Sequence, residues 1–315
     1  MNLRKIVIRA VLVLIAAPIA LLLLLVGFFY SVFYFPNRTN AVTQTIFASG
    51  EKREYLLYVP KSYDPAKPAP LVITLHTSMS WDSAAMAISQ WNQVADEQGF
   101  LVAYPQGTGF GSKSWEMAGS ETPDRMPDVI FITALIDKLE GAYNIDKARI
   151  YANGMSNGGG MAFVVSCTLS DRIAAVGLIS AGLDPGWSWC TDHRPVPVIA
   201  FHGTADPVCP YKGGYSKLAG GAFPSIPDFF ANWSKRNQCG PSPLEASIAA
   251  NVTRLQYTNC AENADVELYA IQGEGHQWPG GRRVAAEWLL GPYSRNIDAT
   301  RQMWEFFQEH PLAGK

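Results

Sequence analysis

A serine between two glycines is the most chemically loaded feature of this chain. Gly154-Met155-Ser156-Asn157-Gly158 lies between a short apolar run, Ala148–Asn153, and a helix-prone stretch to about Ser170. A tight strand-to-helix turn there would lift the Ser156 hydroxyl above a sheet, and small flanking residues relieve crowding at the turn. The helix start behind it would offer backbone N–H groups and a positive dipole end to a developing oxyanion. A serine hydroxyl is a weak nucleophile until a base takes its proton. His276, in Gly273-Glu274-Gly275-His276-Gln277-Trp278-Pro279, is the expected base, because it follows the last strand-like segment. The acid that orients the imidazole is expected at Asp206, after the run Val196–His202, with Asp184 as the rival. The order is then serine, acid, histidine.

The remaining candidates fall around this set. Asn157 is expected to give one oxyanion N–H, and Thr77 or Ser78, after the run Leu71–His76, the other. Trp81, Trp115 and Trp278 are candidates to line a substrate pocket, against the alternative that they pack the core. His76 and His202 read as buried structural histidines, His193 and His310 as surface ones. No cofactor or metal-ligand spacing is seen.

These residues need a scaffold. From residue 45 onward, strand-like and helix-like segments alternate. Thr45–Phe47 and Glu54–Val59 read as an antiparallel pair; Leu71–His76, Phe100–Tyr104, Ala148–Asn153, Ala174–Ser180, Val196–His202 and Val266–Ile271 read as strands. Helices are expected over Asp82–Gln98 with Asp82 as cap, from Asp128 as cap to about Tyr143, over Pro227–Asn237 and over Ile297–His310. Gly107–Pro127 is expected to be a long functional loop. The pattern implies an α/β fold with a mainly parallel central sheet flanked by helices, whose sites lie at the carboxyl ends of the strands.

At these residues the chain resembles the esterase family that includes polyhydroxybutyrate depolymerases and feruloyl or acetylxylan esterases. LVITLH, IYANGMSNGGGMA, PVPVIAFHGTADPVCPY, GEGHQWPGG and DATRQMWEFFQEHP carry the resemblance across roughly residues 45–311. It implies an α/β-hydrolase fold, ester hydrolysis through an acyl-enzyme, and Ser156, Asp206 and His276 as nucleophile, acid and base. Two positions depart from the family pattern: Thr77 stands where a glycine is usual, and Pro127 replaces the first of two acidic residues, leaving Asp128. Polymer-degrading members usually carry a linker and a binding domain. None follows residue 311, so small or oligomeric esters of hydroxybutyrate, feruloyl or acetyl-sugar type are the expected substrates. A peptidase or acyltransferase on the same fold, or an inert anchored binding domain, are the alternatives.

Composition bounds the rest. The chain has 315 residues, 48% of them apolar, and a net charge of −2 with scattered cations, which is no footprint for nucleic acid. Arg4, Lys5 and Arg9 precede an uncharged apolar run, Ala10–Phe35, about 39 Å long as a helix. That run is expected to be an uncleaved membrane anchor, with a cleaved signal peptide as the alternative. Residues 1–36 would then be stub and anchor, and 37–315 a catalytic domain outside the cytoplasm. The five cysteines suit that compartment. Cys239–Cys260 is expected to form a local clip, Cys190–Cys209 is a further possible pair, and Cys167 reads as an inert core thiol.

Overall fold

The computed structural model describes residues 14–24, 26–27, 41–109, 113–116, 126–182, 190 and 194–314. Two compact units are distinguished, Met1–Asn40 and Ala41–Lys315. In the first, residues 14–24 and 26–27 are helical and exposed. Most of the remaining apolar run lies outside the described residues. Among the described residues no helix is long and apolar enough to cross a membrane, so the expected anchor has no support here.

In the second unit, ten strands form one sheet. In chain order they are β1 (Val42–Ala48), β2 (Glu51–Tyr58), β3 (Ala69–Leu75), β4 (Leu101–Pro105), β5 (Ile145–Met155), β6 (Ala175–Ile179), β7 (Val198–Gly203), then β10 (Leu244–Ala249), β11 (Val252–Tyr257) and β12 (Val266–Ile271). A small separate hairpin, β8 (Gly214–Ser216) and β9 (Gly221–Phe223), lies between β7 and β10. The sheet order is β1-β2-β4-β3-β5-β6-β7-β12-β11-β10. From β4 to β12 every pairing is parallel; β1, β2, β11 and β10 pair antiparallel at the two edges. The sheet is therefore mixed, with its six central strands parallel and antiparallel pairs at both edges. β10 and β11 lie between Cys239 and Cys260, where the sequence reading has no strand. Their half-buried, polar edge-strand pattern gives little hydrophobic signal.

The parallel strands alternate in side-chain direction, so one sheet makes two cores. Leu71, Ile73, Ile150, Ala152, Val198 and Ala200 face helices α3 (Pro127–Ala142), α4 (Asn157–Thr168) and α5 (Ile226–Arg236). Val72, Tyr151, Ile199 and Phe201 face α1 (Asp82–Ser89), α2 (Trp91–Gln98) and the closing α7 (Ala299–Glu309). A four-residue helix, α6 (Glu287–Leu290), precedes α7.

Several local expectations are corrected. The helix expected over Asp82–Gln98 breaks at Gln90, which is left-handed at φ 59°. Tertiary donors take its carbonyls: Thr300 Oγ1 donates to Ser89 O and Arg282 N to Ile88 O. Neither Asp82 nor Asp128 is a cap; both lie inside the first turn, behind Trp81 and Met126. Asp128 instead accepts from buried Arg53 at 2.6 Å. His310 is not at the surface: it is buried, stacks on Phe306 and donates from Nδ1 to Phe306 O.

Cys239 pairs with Cys260 as expected. Cys167, however, is not a free core thiol, and Cys190 does not pair with Cys209. Cys167 is bonded to Cys190, and Cys209 is the free, buried thiol. Arg194 donates to the carbonyls of Ser170, Ile173 and Ala174, just past the end of α4. At 3% exposure Cys209 is closed to reagents, and burial, helped by the Asp206 charge, pushes its thiol far above the ordinary range. The unreduced native chain should therefore show no thiol reactive to Ellman's reagent, and one after denaturation. More than one would refute this disulfide set.

Candidate active site

Ser156 sits between β5 and α4 with φ 55° and ψ −119°, a conformation that L-residues rarely adopt. The turn is held from below. Ser156 N donates to Ile179 O on neighbouring β6, and Gly160 N to Ser156 O begins the helix. Gly158 has no substitute here, since a Cβ would lie 2.2 Å from Leu75 O. Strain of this kind costs about 1–3 kcal/mol and persists only where packing over-determines it. Ser156 and Asn157 are half-buried, at the open end of the sheet.

Asp206 and His276 meet there. His276 Nδ1 donates to Asp206 Oδ2 at 2.8 Å, leaving Nε2 as the acceptor. The other carboxylate oxygen, Oδ1, accepts from Val208 N and Cys209 N, both at 2.8 Å, so the carboxylate is aimed by its own turn. Burial alone would raise the Asp206 pKa. His276, His202 and the Cys209 N–H outweigh it and hold the carboxyl below the ordinary aspartate range. His202 is itself buried and depressed by that burial; its Nε2 donates to Cys209 O. The Asp206 turn and the His276 loop touch backbone to backbone: Ala205 N donates to Glu274 O, and a Cβ on Gly203 would lie 2.2 Å from that same oxygen.

β5, β6, β7 and β12 are consecutive in the sheet and parallel, so residues following them share one rim. Strands lie about 4.8 Å apart, which puts the end of β12 about 14 Å from that of β5. To approach Ser156, the His276 loop must therefore reach back. It does so over β6, where Ser180 Oγ donates to Gln277 O. From behind, Leu290 O and Pro292 O accept from His276 N and Gly275 N. The Gln277 side chain donates to Ala285 O and Gly291 O and accepts from Val284 N. Sequence reading missed Gln277 as an organiser of this loop, because a single amide carries no pattern signal.

The candidate oxyanion donors lie opposite. Thr77 is half-buried and Ser78 exposed, after β3. The departure from glycine at Thr77 is accommodated, because the positive φ in this loop falls at Met79. The tryptophans part company. Trp278 is given to the core at 2% exposure, its indole N–H donating to Thr300 Oγ1, so it does not line a pocket. Trp115 is buried against His76, and only Trp81 is partly exposed. Asp184, His193 and most of the 107–127 loop lie outside the described residues.

Residues 53–193 match the Esterase PHB depolymerase family. Feruloyl esterase C of Emericella nidulans is 31% identical over 86% of this chain and 88% of its own length. Feruloyl esterase B of Piromyces equi is 32% identical over 73% of this chain, though the chain spans only 44% of that protein's length. The chain belongs to this esterase family. The fold also matches an acetyl xylan esterase from Aspergillus awamori, with TM-score 0.61 at 15% identity over 85% of this chain and 99% of that one.

Glu274 yields a test of the site's electrostatics. Burial lifts its carboxyl to about 7, against the Ser294 N–H that lowers it and with the Asp206 charge that raises it further. Its ordinary value is 4.5, so between pH 4.5 and about 7 this carboxyl binds more proton in the folded chain than in the unfolded one. Its own contribution to stability must then fall as pH rises through that window. Glu274→Gln should remove that contribution, so the Tm of the variant relative to the parent should rise from pH 5 to pH 8. A Tm difference that does not change with pH would mean that Glu274 does not titrate differently on folding.

Proposed function

We propose that residues 37–315 form a serine carboxylic-ester hydrolase working through an acyl-enzyme. The observation that carries this reading is the buried Asp206–His276 pair on the rim that also holds the strained turn at Ser156. Ser156 Oγ attacks the ester carbonyl while His276 Nε2 takes its proton. Asp206 holds the Nδ1–H tautomer and stabilises the imidazolium. The N–H of Asn157 and that of Thr77 or Ser78 receive the oxyanion. The alcohol leaves with the proton from His276, and water activated by the same imidazole releases the acid.

Family membership supports ester chemistry over peptide hydrolysis or acyl transfer, and the names of the relatives, feruloyl esterases and an acetylxylan esterase/xylanase, favour feruloyl or acetyl-sugar esters. Hydroxybutyrate oligomers are the third substrate class, from the family match. Two disulfides suit a catalytic domain that works outside the cytoplasm.

Ser156→Ala should lower turnover of p-nitrophenyl acetate by about 10⁴-fold or more. A fluorophosphonate should label the parent at Ser156 and leave the variant unlabelled. A Ser156→Ala enzyme retaining most of its activity would remove the assignment. A panel of feruloyl, acetyl-sugar and hydroxybutyrate-oligomer esters, with matching amides and acyl acceptors, would then rank the substrates.

A further inference from the structure

We propose that Trp115 is a positioning residue for the oxyanion site, one side chain and its peptide groups bracing the donors on both sides of the hole. The inference rests on the reading of Ser156 as nucleophile, and it assigns to Trp115 a task other than lining a pocket.

A peptide unit is a rigid plane whose C=O and N–H point in opposite directions, so fixing one fixes the other. The plane that carries the Thr77 N–H also carries His76 O, and Trp115 Nε1 donates to that oxygen at 2.9 Å. The next plane carries the Ser78 N–H and Thr77 O. There the donor is His76 Nδ1, at 2.7 Å. The His76 tautomer is set from its other side, because Nε2 accepts from Gly107 N at 2.9 Å. The His76 ring also packs against the indole, 5.0 Å between centroids. Whichever of the two N–H groups faces the oxyanion, its plane is held by Trp115 directly or by the imidazole packed against it.

The opposite donor hangs from the same residue. Asn157, whose N–H follows the nucleophile, grips the Trp115 backbone as a strand partner would. Its Oδ1 accepts from Trp115 N at 2.7 Å, and its Nδ2 donates to Trp115 O at 3.1 Å. The segment carrying Trp115 is itself pinned. Lys113 bridges to Ser80, Ser114 bridges to Thr108, and Glu116 N donates to Asp128 Oδ2 at 2.8 Å. Asp128 in turn is fixed by Arg53, 2.6 Å away in a buried ion pair. The single acidic residue that the family pattern leaves at this point thus anchors the brace.

Two facts make this more than ordinary core packing. The indole N–H goes to one particular carbonyl at the oxyanion turn, and the side chain that follows the nucleophile spends both its polar atoms on Trp115. An oxyanion hole works because its donors need not reorganise when charge develops, so a loosened donor loses rate rather than substrate affinity.

The test is Trp115→Phe in the full chain, which keeps an aromatic ring and removes the N–H. Loss of one whole oxyanion donor costs about 10²–10³ in kcat, and a misaligned donor should cost less, about 10–100-fold. That fall should be the same for an acetyl and a feruloyl ester, with KM changed by less than about 2-fold. The number of sites titrated by a fluorophosphonate should stay equal to the parent's. Asn157→Ser cuts the grip from the helix side and carries the test if Trp115→Phe does not fold. With both variants folded, the double variant should lose less than the product of the two single losses, because both changes break one brace. Unchanged kcat in folded Trp115→Phe, or in Asn157→Ser, overturns the proposal. A KM rise confined to the feruloyl ester with kcat intact does so too, and returns Trp115 to a pocket wall. Failure of the underlying reading is separate, and would show as activity surviving Ser156→Ala.

Discussion

The backbone turn at Ser156 is the constraint around which the rest of the site is arranged. A serine at φ 55° is held only because β5 below it is buried on both faces, β6 takes its N–H, and α4 starts at once behind it. Each of these needs closeness that a side chain would block, which is why Gly158 lies against the backbone of Leu75. The strain is small beside the apolar area buried by two cores on one sheet, and that imbalance lets the fold keep it.

Strand order converts one strained residue into a site. The chain visits β3, β5, β7 and β12 at separated points in sequence, yet parallel pairing brings their carboxyl ends to a single rim. The His276 loop spans the remaining distance with a scaffold of main-chain bonds and one glutamine, not with a lattice of charges. Burial then divides the titratable groups. Asp206 stays charged because the imidazole and two N–H groups compensate it, whereas Glu274, nearby and poorly compensated, tends to keep its proton.

The side opposite the Asp206–His276 pair is built from hydrogen-bonded peptides. Arg53, Asp128, Trp115, His76 and Asn157 form a continuous path from β2, next to the edge of the sheet, to the turn after Ser156. Burying Arg53 with Asp128 gains little net stability, since desolvation offsets most of the attraction. Its geometric effect is larger, because the carboxylate that holds Arg53 also holds Glu116 N.

The triad candidates, the six parallel strands and the family could be named from the sequence, because glycine-flanked turns and strand-length apolar runs are local signals. The Cys239–Cys260 clip was legible as well. What only the tertiary structure decided depends on partners that local pattern does not record. Cys167 pairs with Cys190 across 23 residues, about the span of the 21-residue clip, so spacing alone did not mark it. The first long helix broke at Gln90 because distant Thr300 and Arg282 took its carbonyls. Trp278 went to the core while Trp115 bound the turn after β3, though both were candidates to line a pocket. Edge strands β10 and β11 carried too little apolar contrast to announce themselves. In each case the deciding partner lies elsewhere in the polymer, and a linear pattern records a residue's type without recording what folding sets beside it.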